Sequence, residues 1–145
     1  MATSLKPRVF VDTNVLYSAL HSQSGPPAQI LRLHADRRLQ VVVSAQVLAE
    51  LVRNVRNKAP ERLGLVRELI ATGSLETALN PPKSAIEAVS PMVNWDDAPI
   101  VAATFDAGVD YFVTGDRRLA DEIKRLNPPF RVTSPRELIQ EITDD

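Results

Sequence analysis

The chain has 145 residues, 44% of them hydrophobic and 24% charged, with a formal net charge of −1 and no cysteine. That length supports one domain with its own core, and the missing cysteines exclude disulfides, thiolate zinc sites and cysteine nucleophiles. A near-neutral charge argues against holding nucleic acid through a broad basic surface, though not against gathering phosphate through a bound cation and a local basic rim.

The leader MATSLKPR lacks the apolar centre of a signal peptide. No run reaches the roughly 18 consecutive apolar residues that cross a bilayer, so the expectation is a cytoplasmic protein with no membrane partner. Val9–Val11 forms a first strand that stops at Asp12, and Val15, Leu16, Ala19 and Leu20 then make a helical stripe. A second helix is entered through Gly25-Pro26-Pro27 and carries Ile30 and Leu31. Leu39–Val43 is a second strand. Ser44 is the N-cap of the clearest helix, marked by Val47, Leu48, Leu51, Val52 and Val55.

Pro60 restarts a helix through Leu63, Val66, Leu69 and Ile70, closed by Gly73. Residues 75–93, cut by Pro81-Pro82 and Pro91, give no clear element. A helix is expected from Asp97 to Asp106, a strand at Tyr111–Val113, and a helix from Arg117 to Leu126 that Pro128-Pro129 ends. Phe130–Thr133 is a weaker strand. Ser134-Pro135-Arg136-Glu137 is a capping box that opens a last helix to about Ile142. Near-continuous apolar strands alternating with helices imply a parallel sheet covered on both faces. The fold class expected is a three-layer α/β/α domain with about four to five strands, one domain over 1–145.

Ligands of open parallel sheets bind at the carboxyl ends of the strands. Asp12 ends the first strand, and Asp116 follows the third by the step Thr114-Gly115, so both acids emerge at one edge. Asp before a helix is also a good N-cap, the ordinary reading of either one alone. Glu50 lies on the helix that follows the second strand, about 130° from its apolar stripe, a position that suits solvent as well as function. Asp96 and Asp97 precede a helix start with Pro99 in its first turn, and Asp97 is the better candidate by its D-x-x-I spacing to Ile100. Two carboxylates about 4 Å apart repel by roughly 4 kcal/mol at an effective dielectric of 20. Several together must take up protons or a cation. Oxygen-only ligands suit Mg²⁺ or Mn²⁺, and one or two such ions can support phosphodiester hydrolysis.

VFVDTNVL, the isolated helical Glu50, DDAPIVAA and DYFVTGDRRL, in that order over residues 8–137, resemble the PIN-domain nucleases, and among them the VapC-like toxins. The resemblance implies a Rossmann-like domain and a Mg²⁺- or Mn²⁺-dependent ribonuclease acting on single-stranded RNA. Its acidic site would be Asp12, Glu50, Asp97 and Asp116, with Thr13, Asn14, Thr114 and Asp96 beside it. Many relatives carry a further acid after TGD where this chain has Arg117 and Arg118. That bears on whether one ion or two are held, and makes the two arginines candidates for substrate phosphate, which Arg recognises bidentately. The resemblance also implies an antitoxin partner and a homodimer, with helices 45–58 and 60–73 the place for the dimer surface.

An RNA-processing nuclease outside a toxin–antitoxin system and a silent RNA- or protein-binding scaffold are the alternatives. An aspartyl-phosphate phosphatase would need a second Asp two positions after the first, where Asn14 stands. Neither GxGxxG nor a P-loop is present. His21 and His34 have no metal-ligand spacing and read as loop and helix-surface residues. Trp95 reads as core in preference to a base-stacking platform.

Overall fold

The computed structural model describes residues 6–143. Five strands alternate with helices: β1 (Arg8–Val11), α1 (Thr13–His21), α2 (Pro26–Ala35), β2 (Gln40–Ser44), α3 (Ala45–Lys58), α4 (Leu63–Ala71), β3 (Glu76–Ala78), α5 (Lys83–Val89), α6 (Ala98–Ala107), β4 (Tyr111–Val113), α7 (Arg117–Lys124), β5 (Arg131–Thr133) and α8 (Pro135–Thr143). They form one parallel sheet in the order β3-β2-β1-β4-β5. Right-handed crossovers that step outward from β1 to β3, then return past β1 to β4, place helices on both faces. In keeping with this, α1 packs on α2 and α3, α2 on α8, and α5 on α6. The strand order reverses between β1 and β4, where such sheets open a crevice.

The sheet is the core. Val9, Phe10, Val11, Val41, Val42, Val43, Phe112 and Val113 are wholly or almost wholly buried, which explains why these strands read as unbroken apolar runs. Phe10 faces Phe112 in the β1–β4 register, their rings 5.8 Å apart between centroids. At the amino edge, Arg8 donates from Nη1 to the Ala107 and Gly108 carbonyls at 2.8 and 3.0 Å and pairs with Glu76 of β3. Its backbone N–H donates to Asp110 at 2.8 Å. One residue therefore ties together β1, β3 and the turn into β4.

Local signals hold where they were strongest. Ser44 accepts from Val47 N at 3.2 Å as the cap of α3. Ser134 and Glu137 exchange both hydrogen bonds of the capping box, at 2.8 and 3.1 Å. Gly73 ends α4 at φ +65°, in the left-handed region that glycine enters without cost. Residues 75–93 contain β3 and α5, both hidden from periodicity: β3 has three residues on the sheet edge, and α5 has seven residues with none fully buried. Three further readings need correction or narrowing. Trp95 is not core but 84% exposed. His34 is a half-buried link, accepting from Val41 N at 3.1 Å through Nδ1 and facing Ser74 Oγ at 3.0 Å. The α3 stripe Val47, Leu51 and Val55 is spent on the chain's own core, which leaves Leu65 (44% exposed) and Ile70 (41%) on α4 as the exposed apolar residues of that region. No helix of the described residues is long and apolar enough to cross a membrane.

Removing the capping box should show its weight. Ser134→Ala is expected to lower stability by about 1 kcal/mol in chemical denaturation. Glu137 is held below its ordinary carboxylate range chiefly by the Ser134 backbone N–H. Its contribution is therefore present above that range and lost as pH falls through the depressed value. The deficit of Glu137→Gln should accordingly shrink on acidification, and a deficit that grows would contradict the assignment.

Candidate active site

Asp12 follows β1 directly, its N–H continuing the ladder to the Val113 carbonyl at 3.2 Å. Its Oδ1 accepts from Asn14 N at 2.7 Å, capping α1, and its Oδ2 accepts from Thr114 Oγ1 at 2.6 Å. The same Thr114 oxygen accepts from Asp116 N at 3.0 Å. Asp116 in turn caps α7 by accepting from Leu119 N at 3.1 Å. Capping and a site role are thus combined in Asp12 and Asp116. Asp97 sits at the start of α6 but makes no side-chain cap, so its carboxylate is free of that duty.

These acids converge on one notch at the β1–β4 switch. Asp12, Glu50, Asp97 and Asp116 line a cavity of about 90 Å³ together with Thr13, Asn14, Asn54, Ile100 and Leu119. Glu50 reaches it from α3, accepting from Thr13 Oγ1 at 3.2 Å and from Gln46 Nε2 at 3.0 Å. Gln46, Glu50 and Asn54 are spaced four apart and so share one helix face. That spacing was the available signal for Gln46 and Asn54, which sequence reasoning missed. Thr114 supports the notch from behind, whereas exposed Asp96 is outside its lining.

Burial and mutual repulsion dominate the electrostatics. Asp12 is 8% exposed, and burial raises its carboxyl above the ordinary range against the opposing hydrogen bonds from Thr114 and Asn14. Asp97 is raised too, first by burial, with Asp96 and Asp116 adding repulsion and Arg118 relieving part of it. Arg118 is the cation at hand. Its guanidinium stands 3.3 Å from Asp97, 3.5 Å from Asp116 and 3.0 Å from both oxygens of Glu122. With the Asn94 amide oxygen turned toward it, that oxygen accepts at 3.0 and 3.2 Å. The guanidinium is therefore already paired with the protein's own groups, on a side chain that is 48% exposed. Arg117 points elsewhere, lining with Lys124, Thr133 and Glu137 a separate cavity of about 440 Å³ that shares Asp116. The Thr133 hydroxyl is buried there with no partner among the described residues.

The donor set is all oxygen, which fits a hard divalent cation. Among the described residues, no three acidic or histidine side chains are already drawn into a metal-ligand cluster. The notch carries the right donors in one cavity without having collapsed them onto a single point.

The family model of the PIN domain matches residues 8–118. The chain is 28% identical over 148 aligned positions to MJ1680, an uncharacterised protein of Methanocaldococcus jannaschii, covering 94% of this chain and 92% of that one. Among solved structures it is similar to PAE2754 from Pyrobaculum aerophilum, with TM-score 0.66 and 15% identity over 99% and 100% of the two chains. It is similar also to VapBC2 from Rickettsia felis bound to a promoter DNA fragment, with TM-score 0.62 and 18% identity over 88% and 98%. A further likeness is to VapC20 of Mycobacterium tuberculosis, a sarcin–ricin-loop-cleaving toxin, with TM-score 0.57 and 17% identity over 78% and 93%. At these identities the structural likeness concerns the fold.

A carboxyl whose folded pKa is raised favours folding only while it stays protonated: its contribution is full below the unfolded pKa and lost as pH rises through the folded one. At neutral pH Asp12 therefore costs stability. Asn at this position keeps the helix cap. Asp12→Asn is expected to melt higher than the wild type at pH 7 in chelator, with the gap closing toward pH 3. A variant that melts lower at pH 7 would show that the charge is compensated.

Proposed function

The chain belongs to the PIN-domain family, and from the four carboxylates that line its switch-point notch we propose that it is a divalent-metal-dependent endoribonuclease of single-stranded RNA, the toxin of a type II toxin–antitoxin pair. The observation that carries this reading is the meeting of Asp12, Glu50, Asp97 and Asp116 from four separate segments in one cavity. A structural role for each acid alone does not require that meeting.

Asp12, Glu50, Asp97 and Asp116 are the residues that would hold Mg²⁺ or Mn²⁺. Such an ion, when bound, supplies a more acidic water and neutralises charge on the phosphodiester. The chain's own groups do the remainder. Thr114 and the Asn14 N–H fix the two oxygens of Asp12, so that its carboxylate plane is set before any ligand arrives. Thr13 and Gln46 do the same for Glu50. Asn14 and Asn54 add neutral polar groups to the rim. Arg118 pairs with Asp97 and Asp116 and offsets part of their repulsion.

RNA as substrate and an antitoxin as partner are supported by analogy with the VapC20 and VapBC2 structures. A homodimer and cytoplasmic residence belong to the same reading, with α4 the place to look for the dimer contact. So does a single domain over 1–145.

Purified protein is expected to cleave single-stranded RNA with Mg²⁺ or Mn²⁺ and to be silent in chelator. Asp12→Asn and Asp116→Asn should abolish cleavage, and Thr114→Val should lower it about 10–100-fold through loss of carboxylate orientation. Cleavage that survives both Asp substitutions would refute the site. Induced expression of the wild type should arrest growth where Asp12→Asn does not. Cleavage in vitro without arrest would favour RNA processing over a toxin.

A further inference from the structure

Trp95 poses a physical problem. It is the chain's single tryptophan, and its large apolar ring stands 84% exposed where burial would be favourable. The ring does not hang on a loose loop. Asp97 N and Ala98 N both donate to the Asn94 carbonyl, at 3.0 and 3.1 Å, closing a tight turn around it. The Asn94 amide and the Asp97 carboxylate that flank it are both held by Arg118. The indole is therefore presented from a fastened segment. It lies two residues from Asp97, so its Cα is within about 7 Å of a notch residue's Cα.

We propose that Trp95 is a stacking platform for an unpaired nucleobase of the strand whose backbone crosses the acid notch. The inference rests on the nuclease reading and adds to it the residue that selects single strands. Charge decides which part of the RNA can lie here. Asp96, which is exposed, and Asp97 follow Trp95 directly in the chain. A phosphate would be repelled by both, whereas a neutral base would not. Every base offers a π-face to an aromatic ring, so the contact is tolerant of sequence. A base inside a duplex already has both faces covered by its neighbours.

Because Trp95 is the sole tryptophan, intrinsic fluorescence reads this position alone. Full-length Asp12→Asn is titrated with labelled single-stranded oligouridine and oligoadenosine and with a matched RNA duplex, following tryptophan emission and label anisotropy together. Quenching that tracks binding of the single strands and is absent with duplex is the expected result. In the same background Trp95→Phe should bind within about threefold, and Trp95→Ala should lose about tenfold to a hundredfold. On the otherwise wild-type chain, Trp95→Ala should lower kcat/KM for single-stranded RNA and be rescued by Phe. Binding without quenching, or Trp95→Ala cleaving as well as the wild type, overturns the platform and leaves the nuclease reading standing. An RNA that is neither bound nor cleaved by the wild type overturns both. Emission that shifts with protein concentration in the absence of RNA assigns the ring to an interface between copies and likewise overturns the proposal.

Discussion

One hydroxyl joins the two halves of this fold where they part. Thr114 Oγ1 donates to Asp12 at the end of β1 and accepts from Asp116 N beyond β4, across the point where the strand order reverses. Hydrogen bonds to a charged group contribute roughly 1.5–3 kcal/mol, comparable with the repulsion between two carboxylates at contact range. The bridge lowers the cost of bringing the acids together, although burial still outweighs it at Asp12. Their separation at the switch is set by this bridge, and the orientation of Asp12 depends on it.

The rest of the edge follows from that crowding. Asp12 and Asp116 cap α1 and α7, so the positive ends of two helices also favour their charge. Arg118 supplies a counter-charge from the first turn of α7, spread over Asp97, Asp116 and Glu122. Its side chain is half exposed, so the pairing is screened by water and salt. A guanidinium of the chain itself thus offsets part of the repulsion among these acids.

Much of the fold was legible because its signals are local. The end of β1 at Asp12, the Ser44 cap and the box at Ser134–Glu137 depend on residues within four positions of each other, and each is formed. β3 escaped because Glu76-Thr77-Ala78 carries no apolar run, whereas β5, an equally short edge strand, was marked by Phe130 and Val132. Trp95 was misread because side-chain burial is decided by what packs against it, and the turn at Asn94 sends it outward. The four acids were legible as candidates, since strand ends and helix starts mark the carboxyl edge; that they share a cavity is a tertiary fact. The engagement of Arg118 with Asn94 and Asp97, more than twenty positions away along the chain, left no trace in spacing. Asn54 did leave one, four residues past Glu50, but a polar residue on a helix has too many ordinary reasons to be there.

The opposite edge of the sheet has the contrary electrical character. There Arg8 attracts Glu76, Asp110 and the carbonyls of Ala107 and Gly108, while at the far ends of the same strands like charges push apart. The strands are short, so both influences act over only three to five residues. The short sheet is therefore polarised end to end, a salt-bridged girdle at its amino edge and a crowd of carboxylates at its carboxyl edge, with the hydrophobic middle between them.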